Sequence, residues 1–125
     1  IKAELGLLEA RLEYENTLKK IDKFDVVLLS MGDDGHIASL FPGHLYSKDA
    51  DVIVEYNSPK LPNKRISISY RKLNKTHNVF KIILGQPKRQ AISLIFQGYD
   101  LPINRVYGEV EKIFIHSSAI PIGGK

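Results

Sequence analysis

Two hydrophobic periods alternate along the chain. From Ile1 to about Ile21, Leu5, Leu8, Leu12 and Leu18 recur close to helical spacing with Glu and Lys between them, which predicts an amphipathic helix. Residues 24–30 form a nearly unbroken apolar run, the pattern of a strand covered on both faces in a parallel sheet. Met31-Gly32-Asp33-Asp34-Gly35 then reads as a turn, and the stretch from His36 to Phe41 as a short helix stopped before Pro42-Gly43. Residues 51–56 predict a strand, and the two prolines between Ser58 and Asn63 mark a loop. Beyond it Ile66, Ile68 and Tyr70 alternate with Ser67 and Ser69, as in a strand near an edge with one polar face. A further buried strand is expected over 79–84, a helix over 88–97 closed by Gly98, and a last strand over 112–116. Strands alternating with helices, with no internal repeat, predict an α/β three-layer sandwich.

Composition narrows this picture. With 125 residues, 43% of them apolar and 26% charged, one globular domain is expected and intrinsic disorder is excluded. No apolar run approaches the roughly 20 residues of a membrane-spanning helix, and the acidic N-terminal stretch is not a secretory leader. The expectation is a cytoplasmic chain with no membrane partner. The absence of Cys removes disulfides and thiolate catalysis. The net charge of +4 is unevenly spread: residues 1–57 carry 6 basic and 11 acidic side chains, residues 58–125 carry 12 and 3. A basic half attracts anions, yet it lacks the interleaved aromatics or recognition helix of a nucleic-acid binder, so no nucleic-acid partner is expected.

Chemistry concentrates where the first strand opens into the Gly32–Gly35 turn. Ligands of open α/β sheets bind at this end of the strands. Gly32 and Gly35 would let the backbone turn and present amides, and a helix starting near His36 would add partial positive charge for an oxyanion. His36 is the side chain best suited to general base chemistry near neutrality, and Asp34, two residues earlier, would orient its ring. The competing reading is a turn that leaves a strand and caps a helix, with Asp33 or Asp34 as the N-cap. His44, His77 and His116 read as structural or exposed, and neither carboxylate has a partner at metal-ligand spacing.

The run from Asp25 to His44, with Gly32-Asp33-Asp34-Gly35-His36-Ile37-Ala38-Ser39-Leu40-Phe41-Pro42-Gly43 at its centre, closely resembles the signature of the 6-phosphogluconolactonases. Ser58-Pro59-Lys60-Leu61-Pro62-Asn63-Lys64-Arg65-Ile66-Ser67 is similar to the family's proline-rich loop and following arginine, and the likeness extends over nearly all of the chain. The resemblance implies the three-layer α/β/α sandwich of the glucosamine-6-phosphate isomerase and deaminase type, with residues 1–125 as a single domain forming its C-terminal portion. It implies hydrolysis of 6-phospho-D-glucono-1,5-lactone to 6-phospho-D-gluconate without a metal or organic cofactor, a step of the oxidative pentose phosphate pathway. His36 would activate water, Asp34 would support it, Gly32 and Gly35 would line the substrate and Arg65 would bind its phosphate.

Departures accompany the match. Family members often carry Pro where Asp33 stands and an acid near His116, and their N-terminal half supplies a phosphate loop with no counterpart here. Covalent partners compatible with the likeness are that missing N-terminal half and a fused dehydrogenase domain. A sugar-phosphate deaminase or isomerase is the nearest alternative enzyme. Its loop places a carboxylate after the Asp-Gly-His run, whereas Ser39 to Gly43 contains none. A non-catalytic sugar-phosphate-binding module is the alternative outside enzymes.

Overall fold

The computed structural model describes residues 6–122. Its first helix, α1 (Leu7–Lys19), is followed by strand β1 (Phe24–Leu29), strands β2 (Val52–Glu55) and β3 (Arg65–Ile68), and helix α2 (Tyr70–Leu73). Strand β4 (Thr76–Ile83), helix α3 (Arg89–Phe96) and strand β5 (Val110–Ile115) complete the regular elements. Parallel strands in the order β1-β4-β5 form one sheet, while β2 and β3 pair antiparallel as a separate ribbon. Val27 lies beside Val79 and Ile83 beside Ile115 in the parallel ladder. The α/β class with a parallel sheet is as expected from the alternating pattern.

The apolar stripe of α1 differs from the expected one. Leu7, Ala10, Tyr14 and Leu18 face the ribbon residues Val52 and Ile66, whereas Leu8 and Leu12 point to solvent. Leu5 lies outside the described residues. Both stripes have helical spacing, and only the position of the ribbon selects between them. Strand and helix limits elsewhere shift by one to three residues. Tyr70, expected at the end of a strand, instead opens α2, because the hydroxyl of Ser69 accepts the amide of Lys72 as an N-cap.

The expected helix from His36 to Phe41 does not form. Ile37 and Leu40 bridge as the two ends of a tight turn, with the Leu40 amide donating to the Ile37 carbonyl at 2.8 Å and Ala38 at φ 46°. Positions i and i+3 meet in a four-residue turn as they do in a helix. The spacing of Ile37 and Leu40 was therefore ambiguous, and Pro42 disfavours helical backbone at Phe41. Both side chains are fully buried in the main core with Val27, Val79, Ile83, Ile92 and Ile103.

That core covers one face of the parallel sheet. The other face carries Val26, Leu28, Ile82, Val110 and Phe114, all exposed. β1 thus has the composition of a strand covered twice, but the described residues cover it once. No helix among them is long and apolar enough to cross a membrane. Truncation on the covered side, Leu40→Ala, is expected to cost about 2–5 kcal/mol in urea denaturation. Leu28→Lys on the uncovered side should stay within about 0.5 kcal/mol of the parent; equal losses would mean that the two faces are not distinguished as described.

Candidate active site

β1 ends at Leu29 and delivers Gly32 to His36 to the carboxyl end of the parallel sheet, where α/β proteins place their ligands. Inside this loop the Gly32 amide donates to the His36 carbonyl at 2.8 Å, and the Gly35 amide to the Gly32 carbonyl at 2.9 Å. The His36 amide donates to Asp34 Oδ1 at 3.0 Å. These donors are occupied within the loop, and no helix begins at His36 to supply a dipole. The glycines act sterically instead. A Cβ on Gly32 would sit 2.0 Å from His36 Cε1, and one on Gly35, at φ 88°, would meet Leu101 Cδ1 at 2.7 Å. Only glycine at 32 leaves room for the imidazole where it lies.

His36 Nδ1 lies 2.5 Å from the same Asp34 oxygen. A carboxylate only accepts, so Nδ1 carries a proton, and in the neutral ring the lone pair is then on Nε2. Partial burial raises the Asp34 pKa, but hydrogen bonds from the His36 amide and ring, with the attraction of that ring, outweigh it, and the net pKa is lowered. Asp34 is thus an ionised orienting group, with one oxygen taking both bonds. The N-cap reading of the aspartates does not hold, since no helix follows. The Phe41 ring meets the imidazole with centroids 4.7 Å apart, and Phe41 is itself buried.

His36, Asp34, Asp33, Phe41, Pro59 and Lys60 line one cleft of about 170 Å³, smaller than the roughly 300–1,000 Å³ of complete small-molecule sites. Arg65 is not among its lining residues. Its Nε donates to the Pro62 carbonyl at 3.0 Å, and its Nη2 to those of Lys60 and Leu61 at 3.0 and 3.2 Å. The guanidinium also lies 5.8 Å from the Phe41 centroid. Arg65 therefore clasps the loop that bears Lys60. Asp33 pairs with Lys88 Nζ at 3.0 Å, tying the loop after β1 to the one after β4.

Two lysines of the site region were missed in the sequence. Lys60 stood inside the proline-rich segment, whose arginine drew attention because a guanidinium is the better phosphate fork. Lys88 carried no local signal. Among the remaining histidines, His44 pairs with Glu55, His77 lies 3.3 Å from Glu109, and His116 caps the short turn Ser117–Ala119.

A parallel α/β sheet with an aspartate-oriented histidine and a lysine-bearing loop at its carboxyl end defines a class of small-molecule-binding proteins. Residues 2–115 match the family model described as glucosamine-6-phosphate isomerases/6-phosphogluconolactonase, and the chain belongs to that family. A probable 6-phosphogluconolactonase of Arabidopsis thaliana is 33% identical over 127 residues, taking in 88% of this chain and 49% of that protein. One from Drosophila melanogaster is 38% identical over 92 residues, or 70% of this chain and 38% of that protein. The 6-phosphogluconolactonase structure from Thermotoga maritima superposes with a TM-score of 0.81 at 30% identity, over 92% of this chain and 54% of that one. A monomeric glucosamine-6-phosphate deaminase shares the fold, with a TM-score of 0.66 at 20% identity, over 91% of this chain and 55% of that one. The chain spans about half the length, or less, of the curated relatives it matches.

The lowered Asp34 pKa has a signed consequence. A carboxyl depressed by folding contributes stability above its unfolded pKa and loses it as pH falls through the folded value. The stability difference between the parent and Asp34→Asn should therefore be largest above about pH 4 and shrink below it. Urea titrations across that range check this, and a difference that widens on acidification would contradict the ionised pair.

Proposed function

We propose that this chain forms part of a 6-phosphogluconolactonase site and hydrolyses 6-phospho-D-glucono-1,5-lactone through His36. The observation that carries the reading is the Asp34–His36 pair at 2.5 Å, which frees Nε2 for a proton in a cleft also lined by Lys60. Nε2 takes a proton from water as the hydroxide oxygen bonds to the lactone carbonyl carbon. The tetrahedral adduct collapses, the ring C–O bond breaks, and the imidazolium returns the proton to the departing ring oxygen. Asp34 holds the ring and stabilises the transient imidazolium. Lys60 supplies positive charge for the phosphate, and Arg65, by clasping residues 60–62, fixes where that charge stands. Gly32 serves the site by leaving space for the His36 ring and Gly35 by leaving space for Leu101, rather than by donating hydrogen bonds to substrate.

The same reading assigns a role to the uncovered sheet face and the small cleft. Both are accounted for if a further polypeptide segment, the counterpart of the N-terminal half of the relatives, packs on Val26, Leu28 and Phe114 and closes the other side of the site. The half-length matches support this.

Freshly generated lactone, corrected for spontaneous opening, provides the test, using this chain and a longer polypeptide that contains it. His36→Ala should lower kcat by about 10²–10⁴-fold, the usual worth of a positioned general base. Gly32→Ala should lower kcat similarly by displacing the ring, while the protein stays folded. Lys60→Ala should act chiefly on KM. Ammonia release from glucosamine 6-phosphate, without lactone hydrolysis, would move the assignment to a deaminase. Binding of 6-phosphogluconate with no turnover of either substrate would make the protein a binding module.

A further inference from the structure

Glu55, the last residue of β2, is buried, yet it is an acid. Its carboxylate collects three donors from two loops. Oε1 accepts the Tyr46 hydroxyl at 2.6 Å and the Nδ1 of His44, and Oε2 accepts the Asn57 amide at 2.8 Å. Two of these partners, Tyr46 and Asn57, lead on to residues that line the His36 cleft. On one side the Tyr46 oxygen also accepts the Phe41 amide at 2.8 Å, and Phe41 carries the ring that meets His36. On the other, Asn57 precedes Ser58, whose amide donates to Asn63 at 2.9 Å and whose hydroxyl accepts the Lys60 amide at 3.3 Å. Pro59 and Lys60 of that segment line the same cleft as Phe41.

We propose that Glu55 is a positioning residue, one that sets the spacing between His36 and Lys60 by holding both walls of the cleft from behind. Its hydrogen bonds to His44, Tyr46 and Asn57 go to none of the residues that line the cleft. It acts through Tyr46 and Phe41 on one side and through Asn57 and Ser58 on the other. This deepens the lactonase reading and rests on it for the identity of the ligand, since base and phosphate-binding charge must stand a fixed distance apart to grip one substrate. Ionisation suits the task. Burial raises the Glu55 pKa, but the bonds from Tyr46, Asn57 and His44 outweigh it and lower it on balance. A carboxylate has two accepting oxygens for its three donors; a carboxamide has one, and its NH₂ would face a donor.

The test uses Glu55→Gln, Tyr46→Phe and the double variant, with Glu109→Gln, from an exposed pair with Lys23, as control. The His36 ring resonances and the Lys60 amide resonance report the two walls, and titration with 6-phosphogluconate reports the grip. Glu55→Gln should move both reporters and weaken 6-phosphogluconate binding about tenfold, a factor equal to about 1.4 kcal/mol. Tyr46→Phe should move the His36 reporter and leave Lys60 in place, because it cuts one arm only. The double variant should resemble Glu55→Gln rather than the sum of the two, as expected of one connected network. Glu109→Gln should move neither reporter.

A folded Glu55→Gln protein with both reporters unmoved would overturn the proposal. If that variant does not fold, Tyr46→Phe decides: an unmoved His36 ring sinks the proposal, and a moved one sustains it. Should the parent neither bind 6-phosphogluconate nor turn over the lactone, the functional reading fails on its own, while the resonances still judge the two-walled clamp.

Discussion

The site depends on one packing constraint, the burial of Ile37 and Leu40 as the two ends of a four-residue turn in the main core. With those side chains fixed, the residue before the turn has little freedom. His36 must leave the core beside Gly32, where its ring occupies the volume that any side chain at 32 would need. Asp34 then reaches both the amide and the ring of His36 with one oxygen. Backbone geometry, glycine placement and the acid–imidazole pair are consequences of the same seat in the core. This holds the imidazole in place without a helix beneath it.

Charge is arranged around that seat in a graded way. The Asp34 carboxylate is half-exposed and aimed at a titratable ring. Asp33 faces Lys88, and its exposed pairing is worth little energy but joins two loops at the sheet's end. Arg65 spends three hydrogen bonds on carbonyls of the proline-rich loop, so the most strongly basic side chain of the region shapes the cleft while a lysine faces it. Such a division suits a phosphate site. A guanidinium serves as a planar clasp on carbonyls, and an ammonium on a flexible stem meets a mobile anion as a point charge.

The parallel sheet has one face in the core and one apolar face uncovered among the described residues. Sheets of this kind are ordinarily covered on both sides. Together with a cleft smaller than a usual ligand site and a match to about half of each relative, the uncovered face supports the proposal that fold and site are shared with further polypeptide. A contiguous exposed apolar face is a docking surface or an aggregation liability, and the same leucine and phenylalanine side chains explain either behaviour.

Much of this was legible in the residue order. The parallel strands, α3, the turn at Gly32 to Gly35 and the pairing of Asp34 with His36 follow from local patterns: apolar runs of strand length, glycines at turn positions, and an acid two residues before an imidazole. The sequence could not say whether Ile37 and Leu40, three apart, formed a helix or a turn, because both conformations bring those positions together. Nor could it say which of two stripes on α1 faces inward, because that is set by the ribbon across from it. Glu55 and Lys88 gave no motif signal, since the side chains they bond lie far along the chain: His44 and Tyr46, 11 and 9 residues from Glu55, and Asp33, 55 residues from Lys88. Local periodicity and turn chemistry thus determined most of the elements and the Asp34–His36 pair. Tertiary contact alone decided which donors were already occupied, which cation faces the cleft and what holds its walls apart, because a hydrogen bond between distant segments leaves no trace in the order of residues.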